Sequence, residues 1–304
     1  MWKEYLQQIQ QGDAKALARC ISLVENETKG YEELMQILPP ANTPVIGITG
    51  PPGAGKSTLV DALISLLVSK GKKVGVLCVD PSSPFNLGAL LGDRIRMSEW
   101  YNHPGVFIRS LATRGSLGGL HPKIIEITDL MKAAPFDYII VETVGVGQSE
   151  IEIAGLADIT VVTVVPEAGD EVQTMKAGLM EIADIFVVNK SDRPDADLFV
   201  KNLNLMLAPA FNAPKPLKGL TAEIPIIKTI ASQKEGVTKL LDAINKRFDE
   251  QQVTSNDKRS WLLAEKAFHL IQQKRMADVS KAALKNKIET AGKGFNLYQF
   301  INNY

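Results

Sequence analysis

The chain has 304 residues, with 34 Lys plus Arg balancing 34 Asp plus Glu, and a pI near 6.9. That balance supplies no global field for nucleic acid or an anionic membrane surface, and no apolar run approaches the roughly 18 residues of a spanning helix. The length is enough for a full α/β core with appendages. Cys20 and Cys78 lack metal-site spacing and read as buried thiols rather than a disulfide, which fits a cytoplasmic location.

Residues 2–38 read as two helices, with Leu6, Ile9, Leu17, Ile21 and Val24 at helical spacing. Met1-Trp-Lys-Glu-Tyr opens an amphipathic helix rather than a signal peptide, and Pro39-Pro40 closes the segment. This N-terminal helical segment, 1–43, is expected to cap the domain that follows.

That domain, 44–250, begins with the β-branched run Val45–Thr49, a buried strand. Gly50-Pro51-Pro52-Gly53-Ala54-Gly55-Lys56-Ser57-Thr58 then fits the P-loop pattern G-x-x-x-x-G-K-[ST], and Leu59–Lys70 reads as an amphipathic helix. Glycines let such a backbone wrap a phosphate chain, and the helix N-terminus adds unpaired donors and partial positive charge. Lys56 is expected to reach the β- and γ-phosphates, and the Ser57 hydroxyl to hold Mg²⁺. A second strand, Val74–Val79, ends at Asp80. A carboxylate there either faces Mg²⁺ through water or caps the Pro-Ser-Ser turn; Asp93, on the following Pro/Gly-rich loop, carries the same two readings. Val106–Arg109 is a short strand followed by the Gly-rich stretch from Thr113 to Gly119, a mobile loop or a tight connection, and then by a helix from about Pro122 to Ala134.

Phe136–Glu142 is an apolar strand ending in a carboxylate, with the form of a Walker B strand that carries Glu where Asp is usual. Glu142 is expected to hold a metal-bound water or to orient the attacking one. In the turn after it, Gly145 can offer its N–H to the γ-phosphate; Gln148 either positions water or caps the next helix. Asp158–Val165 is another buried strand, and Ile185–Val188 leads into Asn189-Lys190-Ser191-Asp192, the Asn-Lys-x-Asp pattern that reads guanine. The Asp192 carboxylate can accept from both N1–H and the 2-amino group of guanine, an arrangement adenine does not offer. Hydrogen bonds to a charged partner contribute roughly 1.5–3 kcal/mol each. Lys190 can lie over the base, and Asn189 can tie this loop to the P-loop. A last strand, Ile224–Ile230, precedes Ala231-Ser232-Gln233, whose backbone is placed to meet guanine O6. After the polar linker 251–257, one long charged helix from about Lys258 to Ile288 is expected to form a docking or dimerisation arm, 251–304. The fold class is therefore α/β: a P-loop NTPase with a mostly parallel sheet flanked by helices, an N-terminal helical cap and a C-terminal helical arm.

Taken together, the P-loop, Asp80-Pro-Ser-Ser-Pro, Gly92-Asp-Arg, Thr113-Arg-Gly, Glu142-Thr-Val-Gly-Val-Gly-Gln-Ser-Glu150 and Asn189-Lys-Ser-Asp resemble the MeaB/ArgK-type GTPases. The resemblance runs from about residue 2 to 290. It implies a branch of the P-loop GTPases related to the metal-insertion GTPases of hydrogenase and urease, using Mg²⁺ and GTP/GDP. It also implies a homodimeric chaperone of the adenosylcobalamin-dependent methylmalonyl-CoA mutase or a related acyl-CoA mutase, gating cofactor loading and protecting or rescuing the mutase. Residues 170–181 would be a further switch relaying nucleotide state. Two other readings compete: a metallochaperone, for which only the scattered His103, His121 and His269 are available, and a P-loop kinase, which has no use for Asn-Lys-x-Asp.

Overall fold

A computed structural model describes residues 1–80, 97–112, 120–143, 149–167, 180, 182–211, 224–251, 257–276, 279–291 and 295–301. The chain forms two compact units, Met1–Arg259 and Ser260–Tyr304.

The first unit is built on a seven-stranded sheet, β1 Val45–Thr49, β2 Val74–Asp80, β3 Val106–Ala112, β4 Tyr138–Glu142, β5 Ile159–Val164, β6 Ile185–Val188 and β7 Ile226–Lys228. The strands are all parallel, in the order β3-β2-β4-β1-β5-β6-β7. Every residue of β1, β5 and β6 is buried, as a parallel sheet covered on both faces requires, which explains why these segments read as unbroken β-branched and apolar runs. The strand order puts β1 at the centre, with β4 on one side and β5 on the other, so a crevice opens at the carboxyl ends where the winding reverses.

Register is pinned at the opposite edge by three aspartates, each standing one residue before a strand. The carboxylate of Asp137 accepts from Lys73 N–H at 2.8 Å, that of Asp158 from Val45 N–H at 2.8 Å, and that of Asp184 from Thr160 N–H at 2.7 Å. Each therefore ties the start of its own strand to the start of the neighbour. Burial pushes the Asp137 carboxyl upward, but the Lys73 N–H bond and the Lys72 ammonium, 3.0 Å away, outweigh it and hold the group below the ordinary carboxylate range. The stabilisation Asp137 provides is present above the unfolded value and is lost as pH falls through the lowered one.

Helices cover both faces: α4 Lys56–Ser69, α5 Ile124–Lys132, α6 Ser149–Leu156, α7 Ala196–Phe211 and α8 Val237–Gln251. The P-loop helix begins at Lys56, three residues before the expected start, and it is not simply amphipathic. Leu59, Val60, Ala62, Leu63, Ile64 and Leu67 are all buried, because the sheet and α8 enclose most of its circumference. The last strand is shorter than expected: Pro225 lies outside it, and Ile230 instead pairs with Glu235 across a tight turn.

The N-terminal segment forms three helices rather than two, α1 Trp2–Gln10, α2 Ala14–Glu25 and α3 Tyr31–Gln36. The Asp13 carboxylate caps α2 by accepting from Lys15 and Ala16 N–H at 2.8 and 3.1 Å, and Gly30, at φ 90°, separates α2 from α3. The cap is fastened by charge. Arg109 on β3 donates to Glu25 at 2.8 Å and to Ser22 at 3.1 Å. Lys123 donates to Tyr31 and Glu27, both at 2.9 Å, and lies over the Tyr31 ring. Burial opposes the charge of Lys123, yet these bonds and nearby Glu126 raise its pKa overall. Cys20 and Cys78 are both buried and free, and burial pushes the Cys20 thiol up to about 11 against the opposing charge of Arg19.

The second unit is described by itself. The single long helix expected here is two helices, α9 Asp257–Arg275 and α10 Lys281–Ala291, followed by α11 Leu297–Ile301. A fresh start at Ser280, whose carbonyl accepts from Leu284 N–H, opens α10. Trp261, Leu263, Phe268 and Ile271 on α9 are exposed. Among the described residues, no helix is long and apolar enough to cross a membrane.

Glu25→Ala should lower the unfolding free energy by about 1–3 kcal/mol, because a half-buried guanidinium loses its charged partner. A urea titration measures this, with an unchanged midpoint counting against the fastening role.

Candidate functional site

At the end of β1 the chain turns through residues 50–55 into α4, and two glycines make that turn possible. Gly50 has φ 137°, and a Cβ there would meet the Thr163 carbonyl oxygen at 2.0 Å. Gly55 has φ 84°, and a Cβ there would lie 2.4 Å from Asn189 Nδ2. Any side chain would push the loop off the ends of β5 and β6. The loop delivers the N-terminus of α4 to the carboxyl edge of the sheet, where its free N–H groups favour an anion.

Lys56 is the first residue of that helix and is 6% exposed. Its Nζ donates to the carbonyls of Gly50 and Pro51 at 2.8 and 2.9 Å, so the ammonium arches over its own loop. Next to it, Ser57 Oγ donates to Glu142 Oε1 at 2.6 Å, which brings the end of β4 onto the first turn of α4. A serine hydroxyl and a carboxylate in contact are hard oxygen donors of the kind a small divalent cation takes, usually along with several waters.

On the other side of the loop stands Asn189, 2% exposed. Its Nδ2 donates to the Ala54 carbonyl at 2.9 Å, and its Oδ1 accepts from Thr229 Oγ1 and from Ala231 N–H, both at 3.1 Å. Lys190, at φ 55°, extends its Nζ to the Gly53 carbonyl at 2.9 Å. Asp192 is exposed at the rim, and Ala231–Gln233 form a 3-10 turn with Ala231 buried and Ser232 and Gln233 open to solvent. One side of the site is thus a phosphate cradle carrying a cation and hard oxygen donors. The other is edged by the Asp192 carboxylate and the 3-10 turn Ala231–Gln233.

A family profile described as "Methylmalonyl Co-A mutase-associated GTPase MeaB" matches residues 17–287. The chain belongs to the MeaB family. A protein of Pyrococcus abyssi named as a GTPase is 47% identical over 263 residues, covering 85% of this chain and 80% of its own. GTPase ArgK of Escherichia coli is 42% identical over 195 residues, 62% of this chain and 59% of its own. The methylmalonic aciduria type A homolog, mitochondrial, of Mus musculus is 35% identical over 265 residues, 81% of this chain and 62% of its own. A crystal structure described as LAO/AO transport system kinase superposes with a TM-score of 0.68 at 26% identity, covering 99% of this chain and 95% of that one. This MeaB-family chain is accordingly a GTP hydrolase that binds GTP and GDP.

Of the residues singled out from sequence, the fold brings Gly50 to Thr58, Glu142, Asn189 to Asp192 and Ala231 to Gln233 to one edge of the sheet, although Thr58 itself is exposed. Asp80 closes β2 in register with Ala112, at that same edge. Asp93, Gly145, Gln148 and the switch expected at 170–181 lie outside the described residues, apart from Met180. Sequence reading overlooked Thr229, which holds the Asn189 amide; its only signal is a hydroxyl residue two positions before Ala231.

Asn189→Ala removes three hydrogen bonds and leaves the Ala54 carbonyl and the Ala231 N–H without this partner. At about 1 kcal/mol per bond, stability should drop by about 2–3 kcal/mol and GTP affinity by more than about tenfold. Thermal unfolding together with nucleotide calorimetry checks both.

Proposed function

We propose that this MeaB-family GTPase is Mg²⁺-dependent and acts as a chaperone of an adenosylcobalamin-dependent acyl-CoA mutase, methylmalonyl-CoA mutase being the leading partner. In this reading it works as a homodimer through its C-terminal arm. The family description supports the mutase association, and the exposed apolar residues of α9 offer that arm a surface to bury.

Within the site, Lys56 would leave its own loop carbonyls for the β- and γ-phosphates. Ser57 would hold Mg²⁺ directly and Glu142 would hold it through water, with Asp80 and Asp93 as further candidates. The ion neutralises charge on the phosphate oxygens. Glu142 and Gln148 would orient the attacking water, and Gly145 would sense the γ-phosphate. Asp192 would select guanine, Lys190 would cover the base, and Ala231–Gln233 would meet its O6.

The observation that carries this reading is the Asn189 lock. It joins the P-loop to both base-reading turns, a construction suited to holding guanine and phosphate in fixed relation. A carboxylate that selects guanine is also why hydrolysis of GTP suits this site better than the kinase activity in the name of the superposed structure.

Asp192→Asn should weaken GTP by at least about 2 kcal/mol, the loss of a charged acceptor, and should improve binding of xanthosine triphosphate, whose 2-oxo group meets an amide donor. Titration with both nucleotides decides it; an unchanged GTP affinity rejects the base assignment. Hydrolysis by the isolated protein should be slow, nearer the about 10⁻³ s⁻¹ of unassisted GTPases than the roughly 5–20 s⁻¹ of assisted ones. Adding the cognate mutase should accelerate it. A rate of several per second that ignores every cobalamin-dependent mutase tried would reject the chaperone role.

A further inference from the structure

Thr49 and Thr143 occupy the carboxyl ends of the adjacent strands β1 and β4, one step beyond the Ile48–Glu142 pair, and both are fully buried. Thr143 grips β1 twice: its N–H donates to the Ile48 carbonyl at 3.0 Å and its hydroxyl donates to Thr49 Oγ1 at 2.9 Å. Side chains alternate across a strand. Ile46, Ile48 and Ile140 join the core beneath α4, and Glu142 on that same face reaches Ser57. Thr49 and Thr143 therefore lie on the other face, where α6 approaches closely enough that a Cβ on Gly47 would meet Ile153 at 2.7 Å. Packing alone does not ask for hydroxyls there. Valine fills the same volume without the cost of desolvating a polar group.

The two threonines complete a closed ring. Lys56 Nζ binds the Gly50 carbonyl, Gly50 follows Thr49, Thr49 accepts from Thr143, Thr143 follows Glu142, Glu142 accepts from Ser57, and Ser57 follows Lys56. Three links are hydrogen bonds. Two of them use groups that, in the reading above, turn to phosphate and metal. The Thr143–Thr49 bond lies behind the site and is independent of both.

We infer that the Thr143–Thr49 hydroxyl pair is a positioning device that holds the Glu142 carboxylate level with Ser57, and so sets how strongly Mg²⁺ tightens nucleotide binding. Both are positioning residues, acting through Glu142 and the start of the P-loop. The inference rests on the assignment of Ser57 and Glu142 to the metal. Without the hydroxyl bond, Thr143 keeps its backbone bond to Ile48 but loses its side-chain tie to β1, and misplacement on the scale of 1 Å costs up to about 10²-fold in a preorganised site.

The experiment compares GDP affinity by calorimetry in Mg²⁺ and in EDTA, together with steady-state GTP hydrolysis, for wild type, Thr143→Val, Thr143→Ser and Glu142→Gln. Thr143→Val should keep GDP affinity in EDTA within about twofold, lose about three- to tenfold of the Mg²⁺-dependent tightening and hydrolyse GTP about tenfold more slowly. Thr143→Ser, which keeps the hydroxyl, should restore both. If Thr143→Val does not fold, Thr49→Val removes the same bond from the other side and is read identically. A wild-type Mg²⁺ effect in Thr143→Val alongside a lost one in Glu142→Gln overturns the positioning role alone. An intact Mg²⁺ effect in Glu142→Gln overturns the metal assignment and the inference with it. Equal loss of GDP affinity with and without metal shows ordinary structural damage and also overturns it.

Discussion

The Asn189 amide, buried and used at both ends, is the contact on which the nucleotide edge depends. Its nitrogen reaches the P-loop at Ala54, while its oxygen gathers Thr229 and Ala231 from beyond β7. The P-loop, 135 residues before it, and the turn 40 to 42 residues after it are thereby fixed to a single side chain. Gly55 is part of the same arrangement, since any Cβ there would occupy the place of the amide. Loop and amide must therefore be considered together, because changing either displaces the other. Buried polar networks of this kind specify one geometry only when every group in them is satisfied.

The N-terminal cap is held differently, by charge at a partly solvated seam. Arg109 precedes residues 113–119 and Lys123 follows them, and both reach the end of α2 or the turn after it. The two flanks of that glycine-rich stretch are thus anchored to the same short piece of the cap. Arg109 and Glu27 keep part of their surface in solvent, so salt screens these pairs in part, while Lys123 itself is buried.

Much of the site was legible because its motifs encode backbone chemistry. Glycines at positions 50, 53 and 55 with Lys56-Ser57 specify the strand-to-helix turn seen here, and Asn189 of Asn189-Lys-x-Asp192 specifies the tether to that turn. A mostly parallel sheet was expected from the sequence, and all seven strands are parallel in the structure. Less legible were features decided by tertiary surroundings. The P-loop helix lacks a clean polar face because α8 and the sheet enclose it. The break between α2 and α3 depends on Gly30 adopting a left-handed conformation, and that between α9 and α10 on a new helix starting at Ser280. Thr49, Thr143 and Thr229 were invisible as a group, since threonine in a strand is ordinary and only the register shows which hydroxyls meet.

The three aspartates at the amino edge of the sheet have a consequence for how such a protein can change over time. Asp137, Asp158 and Asp184 align neighbouring strands from the end remote from the P-loop. A one-residue slip would turn every buried side chain to the wrong face, and these carboxylates oppose it without help from any loop at the carboxyl edge. Those loops are therefore relieved of holding the sheet together. Insertions and exchanges in them can alter a partner or a timing step while the strands beneath stay aligned, so a lineage can diversify what the site does without refolding what supports it.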